Sequence, residues 1–555
     1  MENIDYQKLE FPYVRPHELD ESSERRHPVV VVGAGPVGLS MALDLARQNV
    51  PVLLLDDDFR LSTGSRAICF AKRTLDIWDR LGVGQRMMDK GVSWNVGKIF
   101  FRSEQIWQFD LLPEPGHRRP AFINLQQYYV EGYLQEAAER EPLIELRWRH
   151  QVANVRETDD GVIVTVQTPD GLFDLHTRYL IACDGSRSPV RKMLGEESHG
   201  RTFRDRFLIA DVKMEADFPS ERWFWFDPPF HRNQSVLLHR QPDNVWRIDF
   251  QLGWDADPVE EVKPERVMPR LRALFGDDAK FEIEWVSIYT FSCLRMDNFR
   301  HGRILFAGDA AHGVSPFGAR GANSGVQDVE NLAWKLAYVL EGKAPDSLLD
   351  TYASEREYAA DENILNSTRA TDFITPKSEI SRLFRNTVLK LAKHHDFART
   401  LVNSGRLSVP ATLHDSPLNT PDADAFEGRM VPGAVALDAP VRGGEGDWLL
   451  AHLGDTFTVL RFLRPGDAVP TATDLGFTAD IPVRVIGIYP AAAEPAPGAV
   501  VDADGLAHQR YDARPGTTYL LRPDQHVAAR WRDATPERLQ AALARALGRI
   551  EETVA

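Results

Sequence analysis

The sequence predicts an α/β protein in which a parallel sheet is interrupted by a mostly-β insertion and followed by a separate α/β domain. Three observations carry this. A wholly apolar run, Val29 to Val32, stops at Gly33-x-Gly35-Pro36-x-Gly38. A second short run, Ile304 to Ala307, stops at Gly308-Asp309 much later in the chain. Between them, Arg204 to Phe291 is dominated by strand-like segments and rich in aromatics, including Trp223, Trp225, Trp246 and Trp285. A short apolar run bounded by turn residues reads as a strand buried on both faces. The chain therefore leaves its parallel sheet, builds another unit, and returns.

Met1 to His27 is charged and lacks the apolar core of a signal peptide, so it reads as an arm packed on the surface or on a partner subunit. Val37 to Asn49 has helical apolar spacing at Leu39, Leu43 and Ala46, and Val52 to Leu55 is a second buried strand ending at Asp56. Strand, glycine turn, helix and strand form one Rossmann-like βαβ unit. The missing side chains at Gly33, Gly35 and Gly38 permit a tight turn and close backbone approach. The free N–H groups and dipole of the helix end then suit a pyrophosphate, and Asp56 can bind ribose hydroxyls. The fingerprint alone does not separate NAD from FAD.

Further along, Arg66 to Leu81 and Leu125 to Glu139 read as helices. From Arg147 to Leu180 the pattern alternates, as at Val162, Val164 and Val166, with Pro169-Asp-Gly171 as a hairpin turn. Tyr179 to Ala182 is again a buried strand, leading into Asp184-Gly185. Ser324 to Leu340 is a helix with Ser324-Gly-Val-Gln327 as its capping box, and more helices follow to about Leu407. The domain limits expected are 28–203 and 292–407 for the split dinucleotide-binding domain and 204–291 for the inserted sheet. A linker covers 408–427, and a C-terminal domain 428–555 has strands at Phe457 to Phe462 and Val483 to Ile488 and a final helix near Thr535 to Leu547.

The balance is acidic, 81 Asp+Glu against 65 Lys+Arg, which disfavours a nucleic-acid or anionic-membrane surface. No run reaches the ~18 apolar residues of a membrane span. Cys69, Cys183 and Cys293 are far apart, so neither a disulfide framework nor a metal cluster is expected, and a reducing cytoplasm fits. Each reads as a small buried residue.

Five segments of the chain resemble the group A flavoprotein monooxygenases, aromatic hydroxylases that bind one FAD and use NAD(P)H. They are the fingerprint itself; Ser65-Arg66-Ala67; Gln127, four residues before Glu131; Cys183-Asp184-Gly185-Ser-Arg187-Ser188; and Gly308-Asp309-Ala-Ala-His312 continuing as Pro316-Phe-Gly318-Ala-Arg320-Gly321-Ala322-Asn323. The resemblance implies that Arg66 lies near the flavin and cofactor phosphates, that Gln127 holds the ribityl–phosphate region, and that Asp184 is tied to FAD and to NAD(P)H use. It implies that Asp309 hydrogen-bonds the ribityl chain. Each has a plainer alternative: a salt bridge for Arg66, a solvent-facing helix position for Gln127, a turn for Asp184, a helix cap for Asp309. His312 reads as structural. Backbone N–H groups of the glycine-rich loop, from Pro316 through Gly321 and Ala322 to Asn323, suit the pyrimidine edge of a reduced flavin, which is anionic. Many relatives have Gly-Gln-Gly-Met-Asn here, so Arg320 either brings a positive charge to the flavin or substrate or points to solvent.

The tail resembles the thioredoxin-like C-terminal domain of the phenol hydroxylase and 3-(3-hydroxyphenyl)propionate hydroxylase branches, through Pro432 to Pro440 and Phe457 to Phe462. With no cysteine there, thiol redox chemistry is excluded and packing or dimer contact remains.

The activity implied is hydroxylation of a phenol-like aromatic with NADH or NADPH and O2 as co-substrates, through a C4a-hydroperoxyflavin, in a cytoplasmic homodimer. The alternative is a flavin reductase or dehydrogenase on the same fold without oxygen insertion. A base or hydrogen-bonding group at the phenolic hydroxyl would help. His239, Tyr289 and Arg247 are the candidates in the insertion, with Arg320 in the loop, and none is singled out as the base. For a carboxylated substrate, Arg222, Arg240 or Arg247 could bind bidentately.

Overall fold

Val29, Val30 and Val31 have no exposed surface, and the strand Arg26–Val32 that carries them sits between two parallel neighbours. Val52–Leu55 pairs on one side and Gly171–Ala182 on the other. The computed structural model describes residues 4–20, 25–402, 407 and 409–549. The returning strand Ile304–Phe306 pairs parallel with Gly171–Ala182, setting Leu180 opposite Ile304 and Ala182 opposite Phe306. The first sheet thus resumes after the insertion, with Ile144–Arg147 at the far edge and the hairpin Gln151–Thr158/Gly161–Thr168 branching from Gly171–Ala182.

The helices Pro36–Arg47 and Gly321–Leu340 cross beneath this sheet edge, and glycine sets their approach. A Cβ on Gly325 would stand 2.7 Å from Val37 Cγ2 and 3.0 Å from the Cα of Gly308. Such contacts exist only where a side chain is missing. Most of Gly321–Leu340 is buried, as expected of a helix between two layers.

The second sheet has eight strands in the order His312–Gly313, Glu282–Met296, Ser198–Lys213, Val245–Leu252, Ser235–Arg240, Arg222–Phe226, Val96–Phe101, Glu104–Asp110. Its last two strands come from well upstream of residue 204. One face buries Leu208, Trp246, Ile248 and Phe250 against the helix Pro264–Phe275. The other face turns toward the first sheet.

Several elements differ from the sequence reading. The helix expected from Arg66 begins only at Lys72, because Cys69–Ala71 is a strand paired antiparallel with Phe122–Asn124. Ser324 lies inside its helix, which starts at Gly321 without any side-chain cap, so Ser324 and Gln327 form no capping box. The arm docks on its own chain. Phe11 stacks on Trp148 at 4.3 Å, and Tyr6 is buried edge-on against Tyr129 and Tyr133. Residues 1–3 and 21–24 of the arm lie outside the described residues. The segment read as a linker is bound to the C-terminal domain, through Thr420 N–H to the Ala528 carbonyl at 2.8 Å and Arg530 to Asp422 at 2.6 Å.

The C-terminal sheet runs Val441–Arg442, Ala499–Asp502, Val483–Tyr489, Phe457–Phe462, Thr518–Leu521, Val527–Trp531. Phe457–Phe462 and Val483–Tyr489 are parallel, Thr518–Leu521 and Val527–Trp531 are antiparallel to their neighbours, and the helix Pro536–Ala546 follows. That is the thioredoxin-like order, β–β parallel and then a β-hairpin and helix. Residues 550–555 lie outside the described residues.

Candidate active site

A cavity of about 730 Å³ joins the C-terminal edge of the parallel sheet to the inner face of the second sheet. Ligands of open parallel sheets lie at that edge. Gly33, Gly35, Pro36 and Asp56 line one end. Gly33 has φ +100°, and a Cβ there would stand 2.6 Å from the Cys183 carbonyl oxygen. Gly38 does not line the cavity; it lies beneath the turn, where a Cβ would meet the Gly33 oxygen at 1.8 Å. At Gly35 a Cβ would touch nothing within 4 Å, so its backbone is open to the cavity. Asp56 ends its strand and accepts hydrogen bonds from Ala34 N–H at 2.5 Å and Asp58 N–H at 2.8 Å. Burial pushes its carboxyl up to about 6, with those two N–H groups opposing the shift.

Arg66, Gln127, Asp184 and Asp309 line the middle. Gln127 braces the loop before Arg66: its Oε1 accepts from Ala67 N–H at 3.1 Å, and its Nε2 donates to Glu131 at 2.8 Å. Glu131 in turn accepts from Ser62 N–H and Oγ. Asp184 accepts from Val190 N–H at 3.0 Å through one oxygen, while its Oδ1 is buried with no hydrogen-bond partner. Asp309 sits deep in the protein with its side chain exposed to the cavity. Burial raises its carboxyl, and His312 and Arg66 oppose that.

Gly308, at φ +62°, lies just behind this wall and carries the turn that presents Asp309. Its N–H donates to Asp328 Oδ2 at 2.9 Å. The same oxygen is 2.7 Å from His312 Nε2, and Asp328 Oδ1 accepts from Arg356 Nε at 2.7 Å. Burial alone would raise Asp328, but His312 and Arg356 hold it below the usual carboxylate range. His312 is therefore a brace of the Gly308–Asp309 turn, and the Asp328–Arg356 pair behind it was not legible from the motif.

Pro316, Gly321, Ala322 and Asn323 line the cavity opposite. The first turn of Gly321–Leu340 opens on it, presenting uncapped N–H groups. Asn323 is engaged by the protein: Oδ1 accepts from Ala71 N–H at 2.8 Å and Thr74 Oγ1 at 2.6 Å, and Nδ2 donates to the Cys69 and Ala319 carbonyls. Its side chain braces the turn, leaving its backbone to face a ligand. Arg320 is buried, lines the cavity and donates to Asn363 at 3.0 Å, so the solvent-pointing alternative does not hold.

The far end is walled by Phe207, Phe291 and Phe317, with ring centroids 4.8 to 5.1 Å apart. His239, Arg247, Tyr289 and Arg222 all line it, whereas Arg240 faces the other side of the sheet over Trp246. Strand register explains the set. Asp211, Arg247 and His239 lie directly opposite one another on adjacent strands, forming one cross-strand row. The next row on that face is Ile209, Asp249 and Leu237. Arg247 donates to both oxygens of Asp211, at 2.8 and 2.7 Å, to the Arg66 carbonyl at 3.2 Å, and to the Ser65 carbonyl. It therefore ties the sheet to the Arg66 loop. His239 is held well below its ordinary range by burial and by Arg222 and Arg247. Burial raises the Tyr289 phenol. Cys69, 4.0 Å from His239 Nδ1, is pushed up to about 11 by burial and is no nucleophile at neutral pH.

Asp249 was missed by sequence reasoning. It lines the cavity, and among the described residues it makes no hydrogen bond or salt bridge. The signal existed: Trp246 to Leu252 alternates, with Arg247, Asp249 and Gln251 on one face. Alternation does not say that the polar face turns inward.

A two-sheet α/β fold with a glycine cradle, a carboxylate behind it, and a helix terminus opposite an aromatic wall is that of a dinucleotide-binding protein. The residues fit FAD: Gly35 leaves backbone open for a pyrophosphate, and Asp184 has a carboxylate oxygen unmet.

Residues 26–367 match the FAD binding domain family, and residues 440–546 match the HcaD C-terminal domain. The chain belongs to the FAD binding domain family and is a group A FAD-dependent aromatic hydroxylase, a flavin-dependent monooxygenase. It is similar to the probable NADH-specific resorcinol 4-hydroxylase of Rhodococcus jostii (strain RHA1), 34% identical over 336 residues, which are 59% of this chain and 62% of that protein. It is similar to the 3-(3-hydroxy-phenyl)propionate/3-hydroxycinnamic acid hydroxylase of Mycolicibacterium smegmatis (strain ATCC 700084 / mc(2)155), 27% identical over 514 residues, 90% of each chain. Among solved structures, the flavin-dependent monooxygenase PieE in complex with FAD and substrate aligns at a TM-score of 0.80 and 22% identity, over 95% of this chain and all of that one. That likeness is one of fold.

Proposed function

We propose that this chain hydroxylates a phenol-type ring at the expense of NAD(P)H and O2, with substrate at the Phe207–Phe291–Phe317 end of the cavity. The observation that carries the reading is the continuity of one cavity from the glycine cradle to a dry aromatic wall. Gly33, Gly35, Pro36 and the N-terminus of Pro36–Arg47 would hold the pyrophosphate of FAD, and Asp56 a ribose. Gln127, Asp184 and Asp309 would hold the ribityl–phosphate region. Arg66 and the Gly321–Asn323 backbone would meet the ring. When bound, FAD would take electrons from the nicotinamide and activate O2, which supplies the inserted oxygen atom.

The protein's own part is orientation and exclusion of water. Phe207, Phe291 and Phe317 shield the reacting end, which protects a reactive site from loss to solvent. Arg247 fixes the Arg66 loop to the substrate sheet, so the cofactor side and the substrate side move as one.

The name of the resorcinol relative favours NADH. No helix among the described residues is long and apolar enough to cross a membrane. A cytoplasmic location and a homodimer are part of the same proposal. The exposed apolar side chains Ile380, Leu383 and Phe384 on one helix support self-association. Light scattering on the purified protein reads the mass.

The decisive experiment supplies resorcinol or 3-(3-hydroxyphenyl)propionate with NADH or NADPH under labelled O2. Stimulated NAD(P)H oxidation with one labelled oxygen in the product supports the reading. NAD(P)H oxidation without any oxygenated product favours a reductase and overturns it.

A further inference from the structure

Asp249 is a carboxylate in the wrong company. Its cross-strand neighbours are Ile209 and Leu237, and its Oδ1 is buried with no partner among the described residues. A buried acceptor without a hydrogen bond is costly to keep. The residue lines the cavity at its aromatic end, so a turn of its carboxyl can offer an oxygen to a ligand there. We propose that Asp249 accepts the hydrogen bond of the substrate's ring hydroxyl and takes its proton as the ring is oxygenated. This rests on the phenol-hydroxylation reading and names the residue that reads the hydroxyl.

The other groups around it serve less well. His239, on Ser235–Arg240, is kept neutral by burial between Arg222 and Arg247 and resists taking a proton. Arg247, on Asp249's own strand, is engaged by Asp211 of Ser198–Lys213 and by two backbone carbonyls. Tyr289, from Glu282–Met296, holds its own proton tightly, as does Cys69. Burial raises Asp249 to about 6, with Arg247 and Arg222 lowering it and Asp211 raising it, so it is ionised at neutral pH.

The step balances without further reagents. As a ring carbon gains its new oxygen, the hydroxyl O–H becomes acidic. That bond breaks, a bond forms between the proton and Asp249 Oδ, and the O–H electron pair stays with the ring oxygen. Arg222 is buried on the same sheet face and donates one hydrogen bond, to the Phe317 carbonyl at 3.1 Å. Among the described residues it has no salt bridge, so its charge is available to a ring oxygen that has lost its proton or to a second acceptor on the substrate. The proton leaves Asp249 for solvent when product departs.

The test uses FAD-loaded wild type, Asp249→Asn and Asp249→Glu with whichever of resorcinol and 3-(3-hydroxyphenyl)propionate the wild type hydroxylates, together with its O-methyl ether. Perturbation of the flavin absorbance reads binding and mass spectrometry reads product. Wild type should bind the phenol roughly tenfold tighter than the ether at about pH 8, since a charged acceptor is at stake, and the preference should fade below about pH 6. Asp249→Asn, which keeps only a neutral acceptor, should shrink the preference, make it independent of pH, and slow hydroxylation by about a hundredfold or more. Asp249→Glu should keep the preference and recover part of the rate. A preference and rate unchanged in Asp249→Asn overturn the proposal. If that variant fails to retain FAD, a wild-type preference flat across about pH 5 to 8 overturns it instead. Absence of product from both phenols in wild type is a different failure, because it removes the phenol-hydroxylation reading and this proposal with it.

Discussion

Arg522 forks onto Glu355, Nη1 to Oε1 at 2.6 Å and Nη2 to Oε2 at 3.0 Å, and both side chains are fully buried. Arg522 belongs to the C-terminal domain, and Glu355 lies on the helix Leu348–Ile374 of the FAD-binding half. Lys335 donates to the same carboxylate at 2.7 Å, and Asp524 partners Arg522 from behind. Arg73 extends the seam to Gln525 at 2.7 Å. The C-terminal domain is joined to the helix layer beneath the flavin site by buried charge, with no cysteine involved.

Removing one partner of such a pair leaves the other charge buried and alone. Arg522→Met should therefore cost about 3–5 kcal/mol in urea unfolding. The double variant with Glu355→Leu should recover little of it, because Lys335 and Asp524 then stand buried without their main partners. Burial would raise Glu355, but Arg522 and Lys335 depress it well below the usual carboxylate range. A depressed carboxylate stabilises fully above its unfolded pKa of ~4.3 and loses that contribution as pH falls below it. Stability measured against pH should drop steeply on the acid side, and less steeply in the double variant.

Two glycine positions of the fingerprint make opposite predictions. At Gly38 a Cβ would overlap the Gly33 oxygen at 1.8 Å, so Gly38→Ala must move backbone and should cost at least about 1–3 kcal/mol, seen as a lower Tm and loss of bound FAD together. At Gly35 a Cβ meets nothing within 4 Å. Gly35→Ala should leave the Tm of the FAD-free protein unchanged while weakening FAD binding, because the methyl group stands in the ligand's space.

Local signals carried the parallel sheet. Val29 to Val32 and Ile304 to Ala307 have no polar residue, and only a strand covered on both faces tolerates that. Gly33, Asp56, Asp184 and Asp309 were legible because each sits where a strand ends, and the fold gathers strand ends at one edge. The inner face of the second sheet was less legible. Its rows are made by register between strands distant in sequence, such as Asp211 with Arg247 and Ile209 with Asp249, and no local pattern encodes that. The strands Val96–Phe101 and Glu104–Asp110 escaped the expected boundary for the same reason, since Val96–Phe101 pairs with Arg222–Phe226 across the intervening dinucleotide-binding segment. The helix expected from Arg66 gives way to a strand because Cys69–Ala71 finds partners in Phe122–Asn124, and tertiary pairing overrides a helical spacing.

Arg247 illustrates how position alters a role inferred from residue type. An arginine in the insertion could hold a substrate carboxylate, yet this one is engaged by Asp211 and by the carbonyls of Ser65 and Arg66. Arg247→Met should leave Asp211 buried without its cation, costing about 3–5 kcal/mol, and should free the Arg66 loop. Arg247→Lys should restore charge but not the fork, so it should recover stability better than activity. KM for the nicotinamide, together with thermal unfolding, separates the two effects. Equal rescue of both by lysine would show that only charge is needed.

Asp328 offers the cleanest separation of scaffold from ligand contact. It does not line the cavity, yet it binds Gly308 N–H, His312 and Arg356 at once. Each bond fixes the turn that presents Asp309. Asp328→Ala strands three buried groups, Gly308 N–H, His312 Nε2 and Arg356 Nε, and should destabilise the fold by about 3–5 kcal/mol. Asp328→Asn keeps the shape but not the charge, so Arg356 loses its counterion while Gly308 N–H can keep an oxygen acceptor. It should fold less stably than wild type and release FAD more readily, by about tenfold in Kd if the turn loosens enough to lose one hydrogen bond to the cofactor. His312→Asn, which can still donate to Asp328, should have a smaller effect on both. Fluorescence of released flavin during dialysis, read alongside urea unfolding, distinguishes these outcomes. FAD affinity unchanged in a folded Asp328→Asn would show that Asp309 is held by its strand alone.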